Sequence, residues 1–296
     1  MSMQLERAFN KNHALSLFYQ WMALIENKEG LTVKNNNPFF FSNANIINNL
    51  TYLDKGFFIK SSLCMGDFVN GVIKIIVIGS PDTVYKTDHL TTTALAKIEI
   101  QHAWYLTSIQ MTFAQNDFFG DAVLEKITIK LLEINSTSPQ QQHNAYNSSV
   151  ALFYMWMACI ESADKFIHPK SPLFEKFRQL HDKNYALNFI GVDVVQSDAM
   201  LNSFMCTLHE MMKYSHHQPL YFVIENSGAT VDELAFEFSL KWSGISHDNR
   251  QMQAQTRHKW LLKKSVNSIL DKISTISVSE LEPFVFTDGG AIILAE

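Results

Sequence analysis

The stretch "FYQWMALIE" occupies Phe18 to Glu26, and "FYMWMACIE" returns 135 positions later, from Phe153 to Glu161, with seven of nine letters unchanged. This echo constrains the chain more than any other feature, because each aromatic, apolar copy must find a core to enter. Further echoes keep the same order. "IEIQHAW" (Ile98 to Trp104) matches "FEFSLKW" (Phe236 to Trp242), and "LEKIT" (Leu124 to Thr128) matches "LDKIS" (Leu270 to Ser274). A fainter pair joins "GDFVN" near Asp67 to "SDAMLN" near Asp198. Their offsets of 138, 146 and 131 drift as loop insertions in a duplicated unit would. The echoes predict an internal duplication, with domains at 1–138 and 146–296. The seam falls in "NSTSPQQQHNAYNSS" (Asn135 to Ser149), which is polar and has no apolar period.

A chain of 296 residues, 47% apolar and 18% charged, suits two domains with substantial cores. The net charge of −5 argues against a nucleic-acid partner, and the cluster Lys259, Lys263, Lys264 is too short for a basic stripe. No run of 18 apolar residues or signal-like start is read, so neither a membrane partner nor secretion is expected. Cys64, Cys159 and Cys206 show no close pairing, and the expected location is a reducing cytoplasm.

The second half shows its elements clearly. Ala151 to Ala163 reads as a helix with Phe153, Trp156, Met157 and Ile160 at helical spacing. "YALNFIG" (Tyr185 to Gly191) reads as a short strand. Ser197 or Asp198 can cap a second helix, whose stripe runs through Leu201, Phe204, Met205, Leu208, Met211 and Met212 and reads as core. The period then becomes two over "LYFVIEN", "LAFEFSLKW", "QMQAQTRHKWLLK" and "ISTISVSEL". Phe236, Phe238, Leu240 and Trp242 share one face with His258, Trp260 and Leu262 across from them, and Glu237, Arg257, Lys259 and Lys263 take the other. An antiparallel sheet covered by helices on one side has this pattern. In the first half, Ile98, Ile100, His102 and Trp104 are expected to take the phase of Phe236 to Trp242, leaving little room for a further strand in "IQMTFAQNDFFGDAV". Alternatively, His102 and Trp104 correspond to His258 and Trp260. The tail "FVFTDGGAIILAE" is expected to dock as an extra strand or across the junction of the halves.

This order of elements, with the run "HKWLL" (His258 to Leu262), resembles the nuclear transport factor 2-like superfamily and its SnoaL-like members. The resemblance covers Ser149 to Pro283 and the same outline in the first half. It implies an α+β fold of two cones, each a bent antiparallel sheet wrapped around helices and enclosing an apolar cavity. Many members pair as homodimers, so the resemblance implies an internal pseudo-two-fold in a monomer, with further dimerisation open.

In enzymatic relatives such cavities hold an acidic base near the first strand and hydrogen-bond donors deeper in, which points to Asp193, Tyr154 and His258 as catalytic candidates. Each has a plainer reading. Asp193 or Asp198 can start a turn or helix, His258 can be a wall residue, and Tyr19 and Tyr154 can pack with the hydroxyl at a rim. Tyr19, Trp21, His102, Trp104, Trp156, Trp242 and Trp260 are candidate ligand-binding residues. "HEMMK" at His209 lacks the second zinc-ligand position, and His209 is expected to face away from the apolar stripe. His216 and His217 read as surface residues near a helix end. "GDFVNGV" (Gly66 to Val72) lacks the lysine of a phosphate loop, so no cofactor or metal is expected. Three functions follow: binding of a small apolar or aromatic molecule without chemistry; a lyase, isomerase or hydrolase working by proton transfer; or a scaffold whose cavities are filled by its own side chains.

Overall fold

The computed structural model describes residues 2–26, 72–86, 89–100, 102–115, 122–134, 136–140, 142–161, 172–226, 232–265, 268 and 270–287. Two compact units divide the chain. One comprises Asn10–Met155 and Val266–Leu270, the other Met1–Phe9, Trp156–Ser265 and Asp271–Glu296.

The first unit is built on helix α1 (Ser2–Glu26), from Asn10 onward, and a four-stranded antiparallel meander: β1 (Val72–Lys86), β2 (His89–Ile100), β3 (Ala103–Gln115) and β4 (Ala122–Ile134). Helix α2 (Tyr146–Ile160) carries the second echo, and its residues through Met155 belong to this unit. From Asn12 to Ala23 and from Ser149 to Ile160 the echo helices are buried on every side. Ser16 and Gln20 are as enclosed as Phe18 and Met22, and no solvated stripe interrupts Ala151 to Ile160. A helix with no wet face must satisfy its polar side chains internally. Ser16 Oγ donates to the carbonyl of Ala151 at 2.7 Å, and Gln20 Nε2 donates to Ser16 Oγ at 2.9 Å. The Tyr19 and Tyr154 rings stack at 5.8 Å. Ser16 and Ala151 are 135 positions apart, as are Tyr19 and Tyr154, so matching positions of the two copies touch each other.

The interior of this unit corrects the strand reading. "IEIQHAW" is not one strand: β2 ends at Ile100, pairs back to Ala103, and His102 sits in the turn at φ 67°, exposed. The alternation breaks because the turn spends residues without a pleat. His102 is therefore not on an inward face, and β3 is a full 13-residue strand where little room was expected.

The second unit carries helices α3 (Pro172–Gln179) and α4 (Asp198–Met211) and a five-stranded sheet. Its strands are β5 (His181–Asn188), β6 (Met212–Asn226), β7 (Glu233–Ser246), β8 (Gln251–Lys263) and β9 (Lys272–Thr287), in the order β5-β9-β8-β7-β6. β5 runs parallel to β9, and the other neighbours are antiparallel. This α+β arrangement, helices with a largely antiparallel sheet, is the fold class the sequence pattern implies. The two-residue period holds. Phe236, Phe238, Leu240, Trp260 and Leu262 are buried, while Arg257 and Lys259 pair with Glu237 on the other face. Exposed ion pairs of this kind contribute at most about 1 kcal/mol each, so the apolar face carries most of the sheet's stability.

Helix α4 begins at its expected cap, with the Met200 backbone N–H donating to Ser197 Oγ at 3.3 Å. Its apolar stripe is not uniform core. Leu201 and Met205 are fully buried, but Met200 and Met211 are 39% and 55% exposed. The tail residues through Thr287 continue β9 rather than forming a separate strand, and the remainder of the tail lies outside the described residues, as do Cys64 and Gly66 to Gly71. Among the described residues no helix is long and apolar enough to cross a membrane.

Candidate functional site

The second unit holds a cavity of about 630 Å³, the size of a small-molecule pocket. Its walls come from the end of α2, the loop after β5, α4, and the faces of β6 to β9. This accounts for the incomplete burial of the stripe on α4: Phe204, Leu208 and Met211 line a hollow, joined by Met212 at the start of β6. Aromatic rings stiffen the same wall, with Phe204 stacked on Phe189 at 4.3 Å and Trp156 packed edge-on to Trp260 at 5.3 Å.

At its inner end this largely apolar space meets a buried charged group. Glu161, the last residue of the second echo, is 2% exposed and lines the cavity. Its Oε1 accepts the His217 backbone N–H at 2.6 Å and lies 2.9 Å from His217 Nδ1, while Oε2 lies 3.8 Å from His216 Nδ1. Burial alone would raise the pKa of this carboxyl. The hydrogen bonds and charges of His216 and His217 outweigh burial and hold it near 2, so it is ionised at neutral pH. An ionised carboxylate only accepts, so Nδ1 of His217 carries the proton it shares with Glu161. In the neutral ring Nε2 is then left with the lone pair, the arrangement that makes an imidazole a base. His217 lines the cavity as well.

His258 stands on the same wall. Its ring stacks on Phe238 at 4.8 Å, and Nε2 lies 3.1 Å from Thr256 Oγ1. Burial, followed by the charge of His217, pushes its pKa down to about 3, so it is neutral. Nδ1 of His258 has no hydrogen-bond partner among the described residues. His209 does not face away as expected: it lines the cavity, and its Nε2 lies 3.2 Å from the carbonyl of Ile160, tying α4 to the end of α2.

Of the residues expected to be catalytic or ligand-binding, the structure gathers three here: Trp156, Trp242 and His258. Trp260 packs behind the wall, 4.9 Å from Phe238. Asp193 is exposed in the loop after Gly191, which folds back so that Val195 pairs with Leu187, and it does not line the cavity. Tyr154, Tyr19 and Trp21 are buried in the first unit, where burial raises both phenol pKa values. Trp104 lies on β3 of the first sheet, and His102 in the turn before it. The residue that sequence reasoning missed is Glu161. The signal was in view: a carboxylate ending an otherwise apolar helix needs a partner wherever it is buried. His217 was misplaced because a histidine pair after a helix looks solvated until the strand turns it inward. Among the described residues no cluster of three metal-ligating side chains occurs.

No protein-family model matches the chain, and no curated protein does. Among solved structures it is similar to a hexachlorocyclohexane dehydrochlorinase from Novosphingobium barchaimii, at 9% identity and a TM-score of 0.38, over 48% of this chain and 92% of that one. It is similar to a nuclear transport factor 2-like superfamily protein from Salmonella enterica serovar Typhimurium, at 12% identity and a TM-score of 0.32, over 36% and 76% of the two chains. A protein with a cystatin-like fold from Caulobacter vibrioides gives 11%, 0.32, and 37% and 77%. Each of these likenesses covers less than half of this chain.

Proposed function

We propose that the cavity of the second unit binds a small apolar or aromatic molecule and that His217, oriented by Glu161, removes a proton from it. The observation that carries this reading is the 2.9 Å contact between a buried, ionised carboxylate and an imidazole in the wall of a largely apolar pocket. Glu161 fixes the ring and its tautomer and stabilises the imidazolium that forms when Nε2 takes the proton. The apolar wall keeps water from competing and strengthens that electrostatic support. Proton abstraction of this kind serves lyases and isomerases. Binding without chemistry is the second reading, favoured by the aromatic lining around Phe189, Phe204 and Trp156.

The test uses 5-nitrobenzisoxazole, an aromatic carbon acid whose ring opens after a single proton abstraction. The wild-type protein is expected to open it faster than buffer at matched pH. His217→Ala and Glu161→Gln should each lower that rate, by roughly 10²-fold or more for His217→Ala. Quenching of tryptophan fluorescence by the probe with no turnover leaves binding alone. Equal rates in wild type and His217→Ala overturn the assignment of the base.

A further inference from the structure

The cavity differs from one end to the other in burial and in charge. At the inner end, Trp156, Glu161 and His258 are between 2% and 6% exposed. At the outer end, the lining includes Met211 and Phe286, 55% and 46% exposed, and the cations Lys213 and Arg250. Both cations are held in place. Lys213 Nζ donates to Asn249 Oδ1 at 3.1 Å, across to the turn between β7 and β8. The Arg250 guanidinium lies 3.4 Å over the ring of Phe286 on β9. Among the described residues, neither forms an ion pair. Asp248, in the same turn, accepts the Ser246 hydroxyl and feels the charge of Arg250, so two cations face one carboxylate in a chain whose net charge is −5.

Resting on the cavity reading above, we infer that its ligand is an organic anion: a ring-sized apolar body with a carboxylate or sulfonate at one end, held at the outer rim by Lys213 and Arg250. Three features support this. The rim offers ammonium and guanidinium donors suited to such a group. The body would lie against Phe204, Trp242 and Met252, which line the space between. The buried Glu161 carboxylate repels an anion entering head first, so the charged end stays outward and the apolar end reaches His217.

A matched pair of dyes tests this directly: 1-anilinonaphthalene-8-sulfonate and N-phenyl-1-naphthylamine, which share one aromatic body and differ in the sulfonate. Titrated by fluorescence on the full chain, the sulfonate is expected to bind about tenfold more tightly, the size of one good hydrogen bond to a charged group. Lys213→Gln and Arg250→Gln should each reduce that preference and leave the affinity for the neutral dye unchanged, and added salt should shrink it in the wild type. Equal affinities, or a preference that survives both substitutions, overturn the inference while the cavity reading stands. Failure of both dyes to bind overturns the two together.

Discussion

Glu26 and Glu161 are the same letter at the same place in the two echoes, and they titrate in opposite directions. Both are taken out of water, which raises a carboxyl. Glu26 accepts the Ile75 backbone N–H at 2.8 Å and Asn147 Nδ2 at 2.9 Å, with Lys74 adding a weaker charge, and its pKa still rises from 4.5 to about 7. Glu161 meets two imidazoles, and its pKa falls from 4.5 to about 2. Neutral dipoles offset only part of the desolvation of a carboxylate, whereas histidine partners more than offset it. A repeated helix therefore ends in a proton-holding acid in one unit and a standing anion in the other.

The most severe way to break this comparison is to neutralise both ends. Glu161→Gln removes one partner of a buried pair and should destabilise the second unit by about 3 kcal/mol or more. Glu26→Gln removes a carboxylate that is costly when ionised, so at pH 8 the first unit should become more stable. Hydrogen exchange resolved by segment gives the two signs separately, and the same sign in both would dissolve the contrast.

Acidity sharpens it next. The raised pKa of Glu26 gives the first unit a contribution that is complete below pH 4.5 and lost as pH rises through 7. The lowered pKa of Glu161 gives the second unit a contribution present above pH 4.5 and lost as pH falls through about 2. Each is worth about 3 kcal/mol from the size of the shift. Exchange protection in β1 should fall between pH 5 and 8, and that in β6 between pH 4 and 2. A flat profile in β1 would mean that Glu26 is not held from water.

A smaller effect probes where the echo helices meet. Ser16→Ala removes the bond to Ala151 and leaves Gln20 Nε2 without its acceptor, for a loss of about 1–2 kcal/mol in denaturant unfolding. The smallest belongs to the outer sheet face: Arg257→Ala should change stability by about 1 kcal/mol or less, because that pair with Glu237 is solvated.

Local patterns read well where their causes are local. Ser197 caps α4 because a hydroxyl reaches the N–H three residues on, and Phe236 to Leu240 alternate because a pleat imposes period two. The same reading failed at His102, since a tight turn can sit inside a run that still looks alternating. It failed at Asp193 as well, where an acid following a strand was taken for a base near a cavity and proved to be an exposed loop residue. Met211 looked like core because helical spacing shows that a stripe exists but not whether a side chain or a hollow stands opposite it.

The sequence alone determined that two like helices must be buried, that period-two strands follow them, and that each echo ends in an acid. Only the tertiary structure decided what those acids do. It brought His217 to Glu161 across 56 positions, and Ile75 and Asn147 to Glu26 across 49 and 121. Desolvation and Coulomb forces depend on distance in space and on the surrounding dielectric, so two identical letters became different chemical groups once the chain had folded.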